Sequence, residues 1–234
     1  MKTIGFLTAA VLLLPHGSPA QMRIGLTGGL HVSEAEQTRF YNAAASSSTK
    51  YAVAGILEYS LSRNLSLLVE PTYLEKGTSA EPLSFESAAA RLSLDLSYLE
   101  IPLLVKFSAG GHFRPYLLLG PAVGINLSSR VRADVRAFGL GQLEIETSAR
   151  DIVRDVEYSL QVGGGVSYQI DQIIALFLEA RYSYGINNIA RNGKITATIM
   201  DEIAEGQLES DPVYRNKGFR IMVGFTFPFQ ISEP

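Results

Sequence analysis

Between Met22 and Phe229 the sequence alternates apolar and polar residues in eight separate runs, and the connections joining them are alternately short and long. The runs fall at 22–31, 51–59, 65–73, 98–107, 113–126, 158–168, 174–184 and 219–229. A period of two marks a β-strand with one apolar face, and each run comes close to the roughly 9–11 residues with which a tilted strand crosses a bilayer. The short connections are 60–64, 108–112 and 169–172, whereas 32–50, 75–91, 128–157 and 187–217 are long. A soluble sandwich has no reason to sort its loops by parity. Strands that run up and down through an outer membrane do, with tight turns on one side and long loops on the other. The pattern therefore predicts an all-β fold over residues 21–234: an eight-stranded antiparallel up-and-down transmembrane β-barrel.

The two faces of the runs differ in a telling way. In YLEIPLLVKF (98–107), Leu99, Ile101, Leu103, Val105 and Phe107 alternate with Tyr98, Glu100, Pro102, Leu104 and Lys106. Across the runs the polar set is rich in Gly, Ser and Thr, with one or two charges in each. The apolar set is bulky and ends in Tyr51, Tyr59, Tyr73, Tyr168, Tyr182, Tyr184 and Phe229, as the aromatic girdles of a membrane barrel do. The usual rule is thus inverted: apolar side chains face lipid, and Arg23, Glu58, Glu70, Glu100, Lys106, Arg114, Glu179, Arg181 and Arg220 face the lumen. Eight strands leave an interior only wide enough for side chains, and an unpaired buried charge is costly. These nine are expected to pair across strands and plug the barrel. Pro102 lacks a ladder donor in a barrel that has no free edge, so it should cost a bond or mark an irregularity. Leu92, Leu94 and Leu96 occupy even positions and Leu99 to Phe107 odd ones. A bulge near Ser97 and Tyr98 that keeps both runs toward lipid is expected, or else a loop boundary there.

Residues 1–20 read as a cleavable signal peptide: Lys2, an apolar run from Ile4 to Leu14 too short to span, and Ser18-Pro19-Ala20 before Gln21. A net charge of −3 without any Lys/Arg-rich run argues against nucleic acid as a partner. The absence of cysteine excludes a disulfide scaffold, a thiolate metal site and a cysteine nucleophile. No cofactor or metal is expected. Of three histidines, His16 lies in the signal segment and His112 in a short turn. His31, near Ser33, Glu34 and Glu36, reads as a solvated histidine at the barrel rim rather than part of a triad. The pairs Glu144 with Glu146 and Asp201 with Glu202 read as loop charge. Gly163, Gly164 and Gly165 sit mid-strand, where glycine serves curvature or close packing. Within the long connections, Val131, Ala133, Val135 and Ala137 alternate with Arg130, Arg132, Asp134 and Arg136. This predicts a charged hairpin that prolongs the fifth and sixth strands and sets its arginines against Glu144 and Glu146. Residues 194–200 read as an extension of the seventh strand and 201–206 as a helical turn.

The strand YLEIPLLVKF, followed by FRPYLLLGPAVG (113–124), resembles the PorT-like outer-membrane β-barrel family of Bacteroidetes type, as does Glu70, Tyr73, Lys76 and Gly77 in an E-x-x-Y-x-x-K-G spacing. The resemblance covers essentially the whole mature chain. It implies an eight-stranded barrel in the outer membrane of a Gram-negative bacterium and no single activity. Gly224, Phe227 and Phe229 resemble the last-strand signal read by the barrel insertion machinery, although 230–234 follow it. The expected function is non-enzymatic: a structural, adhesive or envelope-complex role, with outer-membrane lipid, that machinery and other envelope proteins at the outer loops as partners. The alternatives are a lipid- or peptide-modifying enzyme and a narrow passive channel or ligand-binding barrel.

Overall fold

The computed structural model describes residues 22–37, 45–80, 83–85, 88–137, 141–148, 153–171, 173–189, 194–199, 202–207 and 214–229. The expected signal peptide at 1–20 and the tail at 230–234 lie outside them. The strands are β1 (Met22–Gln37), β2 (Ala45–Ser60), β3 (Leu65–Val69), β4 (Thr72–Ala80), β5 (Leu83–Phe85), β6 (Ala88–Ser108), β7 (Phe113–Ala137), β8 (Gly141–Ser148), β9 (Val156–Gln169), β10 (Ala175–Gly185), β11 (Lys194–Ile199), β12 (Glu202–Gln207) and β13 (Tyr214–Phe229). Pairing is antiparallel throughout. The ring runs β2, β1, β13, β10, β9, β7, β6 and returns to β2 through β3 and β4, which lie end to end. Counting that broken strand once, eight hydrogen-bonded strands close an all-β barrel. Met22 faces both Phe229 and Tyr59, so the strand ends beside the three short turns all gather at one end.

One of those turns is closed by Asp171, whose Oδ1 accepts the backbone N–H groups of Ile173 and Ile174 at 2.7 Å. The bonds from Ile174 and Ile173 hold this exposed carboxyl below the ordinary aspartate range. Whatever the turn gains from them is present above the unfolded aspartate pKa and is lost as pH falls through the lowered one.

Proline explains the broken strand. On one side of β6 the pairing stops at Val69 with Leu103 and resumes at Thr72 with Glu100. Pro102, which has no N–H to give, sits opposite the gap, where Pro71 also lies. Across the gap the Pro102 carbonyl accepts a long 3.4 Å bond from Glu70 N. The run expected as one strand over 65–73 is therefore two, β3 and β4.

The register of β6 against β7 does shift between Ser97 and Tyr98, but β7 supplies the extra residue. Ser97 faces Ser128 and Tyr98 faces Asn126, so Leu127 is the additional residue on β7. Strand β6 keeps its parity: Leu96 and Tyr98 are buried on the same side as Glu100 and Leu104. This corrects the expectation that a bulge or a loop boundary intervenes on β6. Leu96 points into the barrel, where it joins an apolar cluster with Leu74, Tyr98 and Met222 beside the buried Lys76. The bulge instead re-aims β7, exchanging inward Ala122 and Gly124 for inward Ser129.

Outside, the alternation produces a continuous apolar belt. Leu103, Val105 and Phe107 of β6, Leu117, Leu119 and Val123 of β7, and their counterparts on every other barrel strand are exposed. Such a belt is a liability in water and a requirement in lipid. Beyond the belt the wall continues. Strand β6 has 21 residues and β7 has 25, about twice what crossing a bilayer takes. Strand β8 pairs with β7 there, setting Arg132 opposite Glu146 and Asp134 opposite Glu144. The expected hairpin exists, but its return strand β8 is separate from β9. Strands β11 and β12 form their own two-stranded sheet, so 194–199 does not prolong β10, and 202–206, the described part of the expected helical turn, is extended. Alternating Ile195, Ala197 and Ile199 favour a strand there.

Candidate functional site

The inward-facing residues stack in layers along the barrel axis. Nearest the short turns Glu58 of β2 receives Lys106 of β6 at 3.1 Å, and the ammonium lies over the Tyr116 ring at 4.5 Å. Above it Leu68, Leu104, Tyr116 and Leu118 form a small apolar cluster. The third layer is ionic. The Arg181 guanidinium of β10 donates to Glu70 Oε2 at 2.9 Å, to Glu179 Oε1 through Nε at 2.9 Å, and to Gln161 Oε1 at 3.2 Å. Tyr116 donates its hydroxyl to Glu179 Oε2 at 3.0 Å. Gly165 makes room for that phenol: a Cβ there would lie 2.7 Å from the Tyr116 hydroxyl and 2.3 Å from Leu178 O.

Glu100 of β6 binds this layer to the next. Its Oε1 accepts from Gln161 Nε2 at 2.8 Å and from Arg220 Nη2, and Lys76 Nζ approaches its Oε2 to 3.6 Å. Lys76 in turn meets Glu157 Oε1 at 2.9 Å, and Asn216 donates to Glu157 Oε2 at 2.8 Å. Beside these ions Ala52, Ala54, Leu74, Leu96, Tyr98, Val153, Ile189 and Met222 form a second apolar cluster in the lumen. Ile189 and Val153 come from connections rather than strands, and Arg154 N donates to Ile189 O at 2.7 Å to hold them together. Each ion in the middle layers has partners from other strands, which offsets its desolvation.

The structure thus brings Glu58 to Lys106, Glu70 and Glu179 to Arg181, and Glu100 to Arg220. It does not bring Arg23 or Arg114 to a carboxylate among the described residues. Arg23 donates to Thr226 Oγ1 and to Thr226 O, at 3.1 and 3.0 Å, and Arg114 donates to Ser108 Oγ at 3.0 Å. Sequence reasoning missed Lys76 and Glu157, which it assigned to the loops 75–91 and 128–157. Parity held the clue: Lys76 continues Thr72 and Leu74, and Glu157 leads into Ser159 and Gln161.

His31 is also corrected. It is 1% exposed, inside the barrel and not at a solvated rim. Strand β1 continues past it to Gln37 and carries it below the wall's edge. The ring lies against Gly218, where an added Cβ would come within 2.3 Å of its Cε1. Neither ring nitrogen has a hydrogen-bond partner, and Ser33 Oγ is engaged by Gly77 on both sides, donating to its O and accepting from its N. Ser33 and His31 therefore do not meet as nucleophile and base. His112 stands exposed in a short turn, its carbonyl accepting from Gln169 N. Among the described residues no three His, Asp or Glu side chains are grouped to hold a metal.

A cavity of about 100 Å³ opens at the short-turn end. Arg23, Arg63 and Arg114 reach it from β1, from the turn after β2 and from β7, and Glu70 and Glu179 of the ionic layer close it above.

Comparison with known proteins agrees with this architecture. The chain resembles the outer membrane protein OprG from Pseudomonas aeruginosa at 15% identity and a TM-score of 0.51, covering 92% of this chain and 99% of that one. It resembles a major outer membrane protein from Thermus thermophilus at 7% identity and a TM-score of 0.51, covering 91% and 100%. These likenesses show the fold. No curated protein matches the sequence. The family model described as outer membrane protein beta-barrel domain matches residues 17–191, well over half of the chain. The protein is thus an outer-membrane barrel and belongs to the outer membrane protein beta-barrel domain family.

Proposed function

We propose that this barrel is a non-enzymatic envelope protein that works through its raised outer wall, while its layered interior keeps the lumen closed. The observation that carries the reading is the length of β6 and β7. Residues beyond the lipid belt contribute nothing to crossing the membrane, yet they form an ordered wall with β8. That wall is charged on its outer side, where Lys50 meets Asp95 at 2.9 Å and Arg132 approaches the same carboxylate to 4.0 Å. An adhesive or scaffolding contact with other envelope components suits such a surface. The short-turn end then faces the periplasm. In the same reading the chain is a PorT-like barrel of a Gram-negative bacterium of Bacteroidetes type, exported by residues 1–20 and inserted through Gly224, Phe227 and Phe229. Its most specific matching segments, 98–107 and 113–124, are neighbouring strands of the wall.

Replacing 133–145 with a two-residue turn leaves Arg132 and Glu146 as the terminal pair of the hairpin. The shortened protein is expected to fold, retain heat-modifiable migration, and lose the envelope proteins that chemical cross-linking recovers with the intact protein from whole cells. Unchanged cross-linked partners would count against the wall. Reconstituted in planar bilayers, the intact barrel is expected to give no stepwise current. A regular open-channel current would count against the closed lumen.

A further inference from the structure

We propose that the short-turn mouth of the barrel binds a small oxyanion of the phosphate or carboxylate type between Arg23, Arg63 and Arg114. The site stands apart from the raised wall, at the opposite end of the barrel.

Charge pairing leads to it. The cavity at the mouth is lined by four cations and three carboxylates. Glu58 is taken by Lys106, and Glu70 and Glu179 both by Arg181 from the layer above. Arg23, Arg63 and Arg114 are left with no carboxylate partner among the described residues. A guanidinium offers five N–H donors in a fixed fork. Arg23 uses its Nε and Nη2 on Thr226, and Arg114 its Nη2 on Ser108 and the Arg63 carbonyl. The Nε of Arg114 is buried and bonds to nothing in the protein. Arg23, half-buried, feels Glu58 as an attracting charge without bonding to it, and Arg114 as a repelling one. Cations gathered around a half-enclosed space, with donors to spare, match a planar or tetrahedral oxyanion in both charge and geometry.

The lining supplies the rest of such a site. Ser62, Ser66, Ser108, Ser167 and Thr226 place hydroxyls around the cavity. The space suits a phosphate or acetate with some of its water, not a large solute. Its ceiling also fixes how deep the ion goes. Above Arg114 come Glu70 and Glu179, two carboxylates against the single Arg181, and Glu70 Oε1 has no hydrogen-bond partner. An anion is drawn to the mouth and repelled by the layer that closes the lumen, so it binds without passing.

The test is calorimetric titration of the purified full-length barrel, in an uncharged maltoside detergent at constant ionic strength, with inorganic phosphate and separately with sodium acetate. Saturable one-to-one binding of at least one of them is expected. Arg63→Gln lies in an exposed turn and Arg114→Gln keeps an uncharged polar side chain; heat-modifiable migration verifies that both fold. Each should weaken binding about tenfold, and the double variant should abolish it, as expected when charged hydrogen bonds are lost. Arg154→Gln, at the far end, should leave it unchanged. No saturable binding by the folded wild type, or equal affinity in the double variant, would overturn the site. Planar-bilayer current is read separately: an open channel would contradict the closed lumen and leave the binding result standing.

Discussion

Glu100→Ala should destabilise the folded barrel by about 3–5 kcal/mol, the range for removing one partner from a buried ion pair. Glu100 is 1% exposed and is the acceptor that Arg220, Gln161 and Lys76 share. Its removal leaves Arg220 with no other carboxylate among the pairs the structure shows, and Arg220 already has Nε and Nη1 without partners. Lys76 retains Glu157. The double variant Glu100→Ala/Arg220→Ala should cost less than the sum of the two single changes, because it leaves no unpaired charge behind. Urea unfolding and refolding in lipid vesicles measures both. A single-variant loss below about 1 kcal/mol, typical of an exposed pair, would show that the middle of the lumen is wet.

The second large effect is expected on the other face. Leu119 is 52% exposed and lies beside Val105 and Val162 on the flanking strands. At an exposed site in water, Leu→Arg stays within about 0.5 kcal/mol. In the middle of a lipid-facing belt the same change costs about 2–4 kcal/mol, falling to about 0–1 kcal/mol near the interfaces. Leu119→Arg should therefore destabilise strongly in vesicles, whereas Ile170→Arg, in an exposed short turn, should do little. Equal small effects at both positions would remove the case for a membrane-facing belt.

How much of this is legible in the sequence depends on parity. Period two locates all eight barrel strands and tells the lipid side from the lumen side, because lipid demands bulky apolar residues at every second position. Strand ends are less legible. Once β6 and β7 leave the bilayer, the outward residues become charged, as Asp95 and Arg132 do, and the apolar rhythm that defines the strand fades while the ladder continues. Pattern alone misplaces Lys76, Glu157 and His31 for that reason. Leu96 misleads differently: its chemistry assigns it to lipid, whereas its unbroken parity with Tyr98 and Glu100 places it inside. Pro102 announces an irregularity, but its partner gap at Glu70 and Pro71 needs the neighbouring strand to be known. Which base meets which acid, and that Arg23 and Arg114 meet none, depends on how eight strands close, and local pattern does not carry that information.

The central claim is that apolar side chains face lipid and charged layers fill the barrel. The chain contains no cysteine, so single spin labels can be placed without background. Labels at Leu117→Cys, Leu119→Cys and Val123→Cys should show high accessibility to oxygen dissolved in the bilayer, and labels at Leu118→Cys and Ala122→Cys low accessibility. Alternation in that phase is the predicted result; the opposite phase, or uniform accessibility along β7, would contradict the account.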